Sequence, residues 1–146
     1  MIRFEGVETF KVPLAEVFAK LSDAGWLAQA LPDAVVSETS PDRAAWKVRP
    51  KFTFMAGSLD TIAEVTERTE AERVRYRVAS KGVGSSSTVD ATLTMTPAEG
   101  GTTVSWVGDL TELGGLLKMV PRGLIQAAAQ TVIADVWKSI HGKLSS

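Results

Sequence analysis

The chain predicts an α+β fold: a curved antiparallel sheet of about seven strands wrapped around a long C-terminal helix, with two short helices after the first strand. Three observations predict it. From residue 34 to about 112 apolar residues recur with period two, and turn signals at "SPDR", "MAGS", "RTEAE", "GVGSSS" and "PAEGG" divide the run into successive strands. From Pro121 onward the period becomes helical. Between an initial strand and the long alternating region stand two short helical patterns.

Residues 2–12 read as the first strand, and Pro13 then opens "LAEVFAKL", where Leu14, Val17, Phe18 and Leu21 fall on one helical face. "DAGWLAQALP" predicts a second brief helix carrying Trp26, Leu27, Ala30 and Leu31. Pro32 stops it, because proline disfavours helical geometry in the residue before it. In the successive strands, alternation puts one apolar set on a common face: Trp46, Val48, Phe52 and Phe54; Leu59, Thr61, Ala63 and Val65; Val74, Tyr76 and Val78; Val89, Ala91, Leu93 and Met95; Val104, Trp106 and Leu110. Arg73, Arg75 and Arg77 take the opposite parity, as do Asp60, Glu64 and Asp90, so cross-strand pairing is expected on the wet face. In the final helix Ile125, Ala128, Ala129, Val132, Ile133, Val136, Ile140 and Leu144 face the sheet, while Gln126, Gln130, Asp135, Lys138 and His141 lie opposite. Pro121 suits its first turn, which leaves "GGLLKMV" as a separate turn or loop.

At 146 residues the chain fits one domain, 1–146, large enough to bury about 68–70% of its unfolded surface. Its 16 Lys plus Arg against 17 Asp plus Glu are spread throughout, which argues against nucleic acid as a partner. Without cysteine there is no disulfide framework or thiolate chemistry. The opening "MIRFEGVETF" lacks a signal-peptide pattern, and no apolar run would span a bilayer, so a cytoplasmic location is expected.

No catalytic residue and no metal set emerges: the lone histidine, His141, sits on the polar side of the last helix, and no His, Asp and Glu have ligand spacing. "SKGVGSSST" lacks the lysine of a phosphate loop and leads into a strand, so a hairpin loop is expected. Glu8 and Asp109 would offer acid or base function if they faced a dry interior. Small residues Ala128 and Ala129 opposite Ala63, Ala91 and Gly108 fit either a close-packed core or a gap. An empty void of about 300 Å³ would cost about 7 kcal/mol, so a gap must be filled or collapse.

The order of strand, helix pair, curved sheet and long final helix resembles the helix-grip fold of the START and Bet v 1-like (SRPBCC) superfamily, over essentially the whole chain. Within it "LAQALPDAVV" and "RGLIQAAAQTVIADVW" are similar to the carbon monoxide dehydrogenase G-subunit (CoxG) family, with Asp33 where that family usually has glycine. The resemblance implies a cavity for an apolar ligand between sheet and final helix. Its lining would be Leu27, Leu31, Trp46, Val48, Leu59, Tyr76, Val78, Ala91, Leu93, Trp106, Leu110, Ile125, Ala128, Ala129 and Val132. Leu113, Gly114, Gly115, Leu116, Leu117, Met119 and Val120 would then gate it, or else be a buried connection that completes the core. Three functions stay open: a carrier of a lipid, quinone or polycyclic compound, without cofactor; an accessory protein for maturation or membrane recruitment of a molybdenum hydroxylase, with peripheral membrane contact; and a cyclase or hydratase type of enzyme.

Overall fold

A computed structural model describes residues 1–49, 57–82 and 84–144. The elements run β1 Ile2–Phe10, α1 Leu14–Leu21, α2 Ala24–Ala30, β2 Val35–Thr39, β3 Arg43–Val48, β4 Leu59–Thr69, β5 Arg73–Gly82, β6 Ser85–Ala98, β7 Gly101–Gly115, a 3₁₀ helix Leu116–Met119 and α3 Arg122–Leu144. The strands form one antiparallel sheet in the order β1-β7-β6-β5-β4-β3-β2, and it curves around α3. The expected fold is the observed one. Phe52 and Phe54, assigned above to the strand of Trp46, lie outside the described residues.

Local chemistry sets the start of each helix. Pro13 is held extended, and its carbonyl accepts from the N–H groups of Glu16 and Val17, while Val17, Phe18 and Leu21 go into the core. The Asp23 carboxylate accepts from Trp26 N–H at 3.0 Å, a side-chain cap typically worth about 1 kcal/mol. α2 departs from expectation in its face. It buries Ala24, Ala28 and Ala30 and leaves Trp26 and Leu27 half-buried. The cause is a close backbone approach: Ala24 and Gly25 N–H donate to the carbonyls of Pro41 and Ser40, and a Cβ on Gly25 would stand 3.1 Å from Thr39. Beyond α2, Asp33 has φ 59°, the left-handed region where glycine is at ease and aspartate is tolerated.

The wet face of the sheet carries a charge row in register across six strands, from β1 to β3, and Glu38 on β2 joins its end off register. Arg3 and Asp109 pair at 2.8 Å, Arg77 and Asp90 at 3.0 Å, and Arg43 contacts Glu64 at 3.1 Å and Glu38 at 2.9 Å. Asp109 stands opposite Asp90, and Arg77 opposite Glu64, which closes the row. Each exposed pair contributes little stability, about 0–1 kcal/mol, but slipping any strand by one residue would put its charge on the apolar face. Arg73 and Arg75 both use Glu67, and Lys47 takes Asp60.

The final helix is turned relative to the expectation. Ile125, Trp137, Ile140 and Leu144 are its buried residues, whereas Val132 is 47% exposed. At 100° per residue, this moves the sheet-facing line toward Ile133 and Trp137, on the β1 side. Trp137 is the anchor that the periodicity missed, its ring centroid 6.3 Å from Phe10 and 6.0 Å from Trp106. Ser139 Oγ also donates to the Ala30 carbonyl and ties α3 to the end of α2.

Candidate functional site

The concave face can be followed strand by strand through its pairings. Val74, Tyr76, Leu93 and Met95, near the α1–α2 end of β5 and β6, are buried. Tyr76 OH donates to the Leu21 carbonyl at 2.6 Å, and burial raises its hydroxyl pKa above the ordinary tyrosine value. Farther along the same two strands, on the same face, Val78, Val89 and Ala91 are only half-buried. Beyond them a row of hydroxyls crosses the sheet in register, Thr61, Ser80 and Ser87, flanked by Trp46 on β3 and Leu113 on β7. Thr61 Oγ1 and Ser80 Oγ are 3.0 Å apart. Val48 and Leu59 form the outermost apolar pair of β3 and β4.

The predicted lining residues divide between two packed clusters. Tyr76 and Leu93 are buried in the cluster closed by α1, with Leu27, Trp46, Val78 and Ala91 packed against it. Leu110 and Ile125 belong to a second cluster with Ile2, Phe4 and Leu117, with Ala129 packed against it. Trp106 and Ile133 touch both clusters. Leu31, Val48, Leu59 and Ala128 stay half-exposed, and Val132 turns outward. A bulge between Thr88 and Val89 pairings brings Leu110 and Leu113 to the same face, which simple alternation would have separated by parity.

The segment expected as a gate or a buried connection has a different backbone from the one read in the sequence. Gly114 and Gly115 are the last residues of β7, paired with Ser86 and Ser85, not a free loop. Gly115 has φ 61°, and a Cβ there would collide with the Gly84 carbonyl, which accepts from Leu116 N–H at 2.7 Å. The glycines therefore serve a close approach of the β5–β6 turn. The chain then enters the 3₁₀ helix, in which Leu117 is buried while Leu116 and Met119 are exposed. Beside it a pocket of about 420 Å³ is lined by Ile2, Leu110, Leu113, Leu117, Val120 and Ile125.

A second depression lies on the other flank of α3, against the edge strand β1. Its volume is about 580 Å³, and Phe4, Trp106, Ile133 and Trp137 form its apolar part. His141, expected on the surface, is in its wall: Nε2 lies 2.8 Å from Glu8 Oε1, and the imidazole stacks on Phe10 at 4.2 Å between centroids. Glu8 had a readable signal, since alternation puts it on the concave face between Phe4 and Phe10. Asp109, its fellow candidate, is on the outer face, where the hydrogen bond from Arg3 holds its pKa below the usual carboxylate range. Trp106 rests against Gly6, where a Cβ would stand 2.7 Å from the indole, and its buried Nε1 has no partner among the described residues. An unmet buried donor costs about 1–3 kcal/mol.

Among the described residues no three His, Asp or Glu converge as a metal site, and no helix is long and apolar enough to cross a membrane. Residues 6–145 match the family described as the G subunit of carbon monoxide dehydrogenase (CoxG). Of solved structures, a conserved protein from Geobacillus kaustophilus is similar with a TM-score of 0.85 at 19% identity, covering 99% of this chain and 95% of that one. A START superfamily protein from Mycobacterium smegmatis gives 0.72 at 12% identity, over 98% and 97% of the two chains. Protein Ms6760 from Mycobacterium smegmatis gives 0.71 at 14%, over 98% and 90%. At these identities the likeness is one of fold. No curated protein matches.

Proposed function

Because the chain belongs to the carbon monoxide dehydrogenase G-subunit (CoxG) family and has a START-like fold, we propose that it is a small binding protein that holds an apolar molecule between the concave sheet and α3. One observation carries this reading. On β5 and β6, two inner strands of the sheet, burial falls away along a single face, from Val74, Tyr76, Leu93 and Met95 to Val78, Val89 and Ala91. A solid core would bury the centre of the sheet throughout. The ligand would be of lipid, quinone or polycyclic type, with its apolar body over Val78, Ala91 and Trp46. An oxygen function would meet the Thr61, Ser80 and Ser87 hydroxyls.

The test is twofold. Solvent extraction of the purified protein followed by mass spectrometry should release a stoichiometric apolar compound, and the stripped protein should bind Nile red saturably in its native state. Ala91→Phe should abolish that binding while stability holds or rises, because burying the ring in open space contributes about 1.5–3 kcal/mol. A wild type that binds nothing, with a variant of lowered melting temperature, would show a close-packed interior and overturn the reading.

A second reading, as accessory to a molybdenum hydroxylase at the membrane, is favoured by the tip beside α3. Leu116, Met119 and Leu124 are exposed there at 59%, 81% and 52%, interleaved with Lys118 and Arg122. Exposed apolar side chains gathered with cations suit an anionic lipid surface.

A further inference from the structure

We propose that the groove between β1 and α3 is a second binding site, separate from the space beneath the other flank of the helix, and that it takes a small planar aromatic carboxylate. At about 580 Å³ it is within the range of small-molecule sites, about 300–1,000 Å³, and it combines an apolar floor with a few polar groups, as such sites do. The floor is aromatic: Trp106 and Trp137 stand 6.0 Å apart at 33°, with Phe4 beside them, and a flat ring gains most from such surfaces.

The polar groups decide the ligand's charge. Of the carboxylates on the groove, Glu8 is engaged, its Oε1 2.8 Å from His141 Nε2, and Glu5 is exposed at the rim beside Arg3, which pairs with Asp109. Two donors stand unengaged. Trp106 Nε1–H is buried without an acceptor, and Lys138, exposed on the groove wall, has no ion-pair partner among the described residues. A ligand that satisfies this site must therefore accept. A ring lying on the indoles, with a carboxylate directed between Trp106 Nε1–H and Lys138, supplies what is missing. Gly6 makes the arrangement possible, since any side chain there would displace the indole. The groove uses Gln130, Ile133, Ala134, Trp137, Lys138 and His141 of α3, while Ala128, Val132 and Val136 point to the opposite flank, so both sites can be filled at once.

The four tryptophans make the test direct. In ¹⁵N-labelled protein titrated with 1-naphthoate, the indole N–H signals of Trp106 and Trp137 should shift saturably while those of Trp26 and Trp46, on the α2 and β3 side, stay in place. Ala134→Trp, a change at an exposed position that fills the groove, should remove the response. Trp106→Phe and Lys138→Gln should each weaken binding about three- to tenfold, the equivalent of one hydrogen bond. 2-Methylnaphthalene, which has no acceptor, should bind this groove more weakly by at least as much. Shifts confined to Trp26 and Trp46, no saturable shift at millimolar naphthoate, or equal binding of the methyl compound would each overturn the proposal. None of these results depends on whether the apolar space over Val78 and Ala91 holds a ligand.

Discussion

Tyr76 is the chain's single tyrosine, and its hydroxyl joins the sheet to the end of α1 through the Leu21 carbonyl. Alternation in "ERVRYRVASK" was enough to turn it inward, but the partner 55 residues away was not readable, because it depends on where the helix pair docks. Burial raises its pKa above the ordinary 10.0. A group that holds its proton more tightly when folded adds stability that is complete below the unfolded pKa and is lost as pH rises above it. Unfolding free energy measured in urea should therefore fall as pH passes about 10, with tyrosinate absorbance emerging only on unfolding. Tyr76→Phe should remove this part of the slope and cost about 1–3 kcal/mol at neutral pH, because the Leu21 carbonyl loses its donor. Tyrosinate that titrates near pH 10 in folded protein would contradict the burial. Glu8 and His141 teach a similar lesson: alternation along β1 turns Glu8 inward, but the helical period put His141 on the polar side of α3, and the 2.8 Å contact required β1 and α3 to be neighbours.

At the scale of elements, the glycines separate two kinds of constraint. Gly115 has positive φ and faces the Gly84 carbonyl, so Gly115→Ala should lower stability by about 1–3 kcal/mol, through backbone strain and displacement of the β5–β6 turn. Gly123, in the first turn of α3 with open space around it, should behave oppositely: Gly123→Ala should raise stability by about 0.5–1 kcal/mol. Urea midpoints of the two variants check both signs. The 3.6-residue period found α3 but not its rotation. Apolar residues from Ala128 round to Trp137 cover a wide arc, so several orientations bury comparable surface, and the indole contacts with Phe10 and Trp106 select one. β7 shows the reverse case, where the bulge after Leu110 let the strand run to Gly115 and absorbed residues that read as loop.

Across the whole molecule, exposed apolar side chains gather at the end where the 3₁₀ helix meets α3, beside the pocket that holds Leu113 and Leu117. If this tip meets lipid, the protein should float with anionic phospholipid vesicles, and replacing Leu116, Met119 and Leu124 together by serine should abolish flotation. Thermal stability should change little, since exposed side chains contribute little to the core. Flotation that persists in the triple variant would remove the membrane role from this tip.

The sequence by itself determined the α+β class, the order of elements, the face that β3 to β6 and β7 as far as Leu110 turn inward and the apolar character of the last helix. These follow from the periods of two and 3.6, which act over a few residues and need no knowledge of distant neighbours. Tertiary structure alone decided the rotation of α3, the bulge that puts Leu110 and Leu113 on one face, the Glu8–His141 contact and the division of the core around Trp106 and Ile133. Each joins groups far apart along the chain, and a local period contains no information about which surfaces meet across such separations.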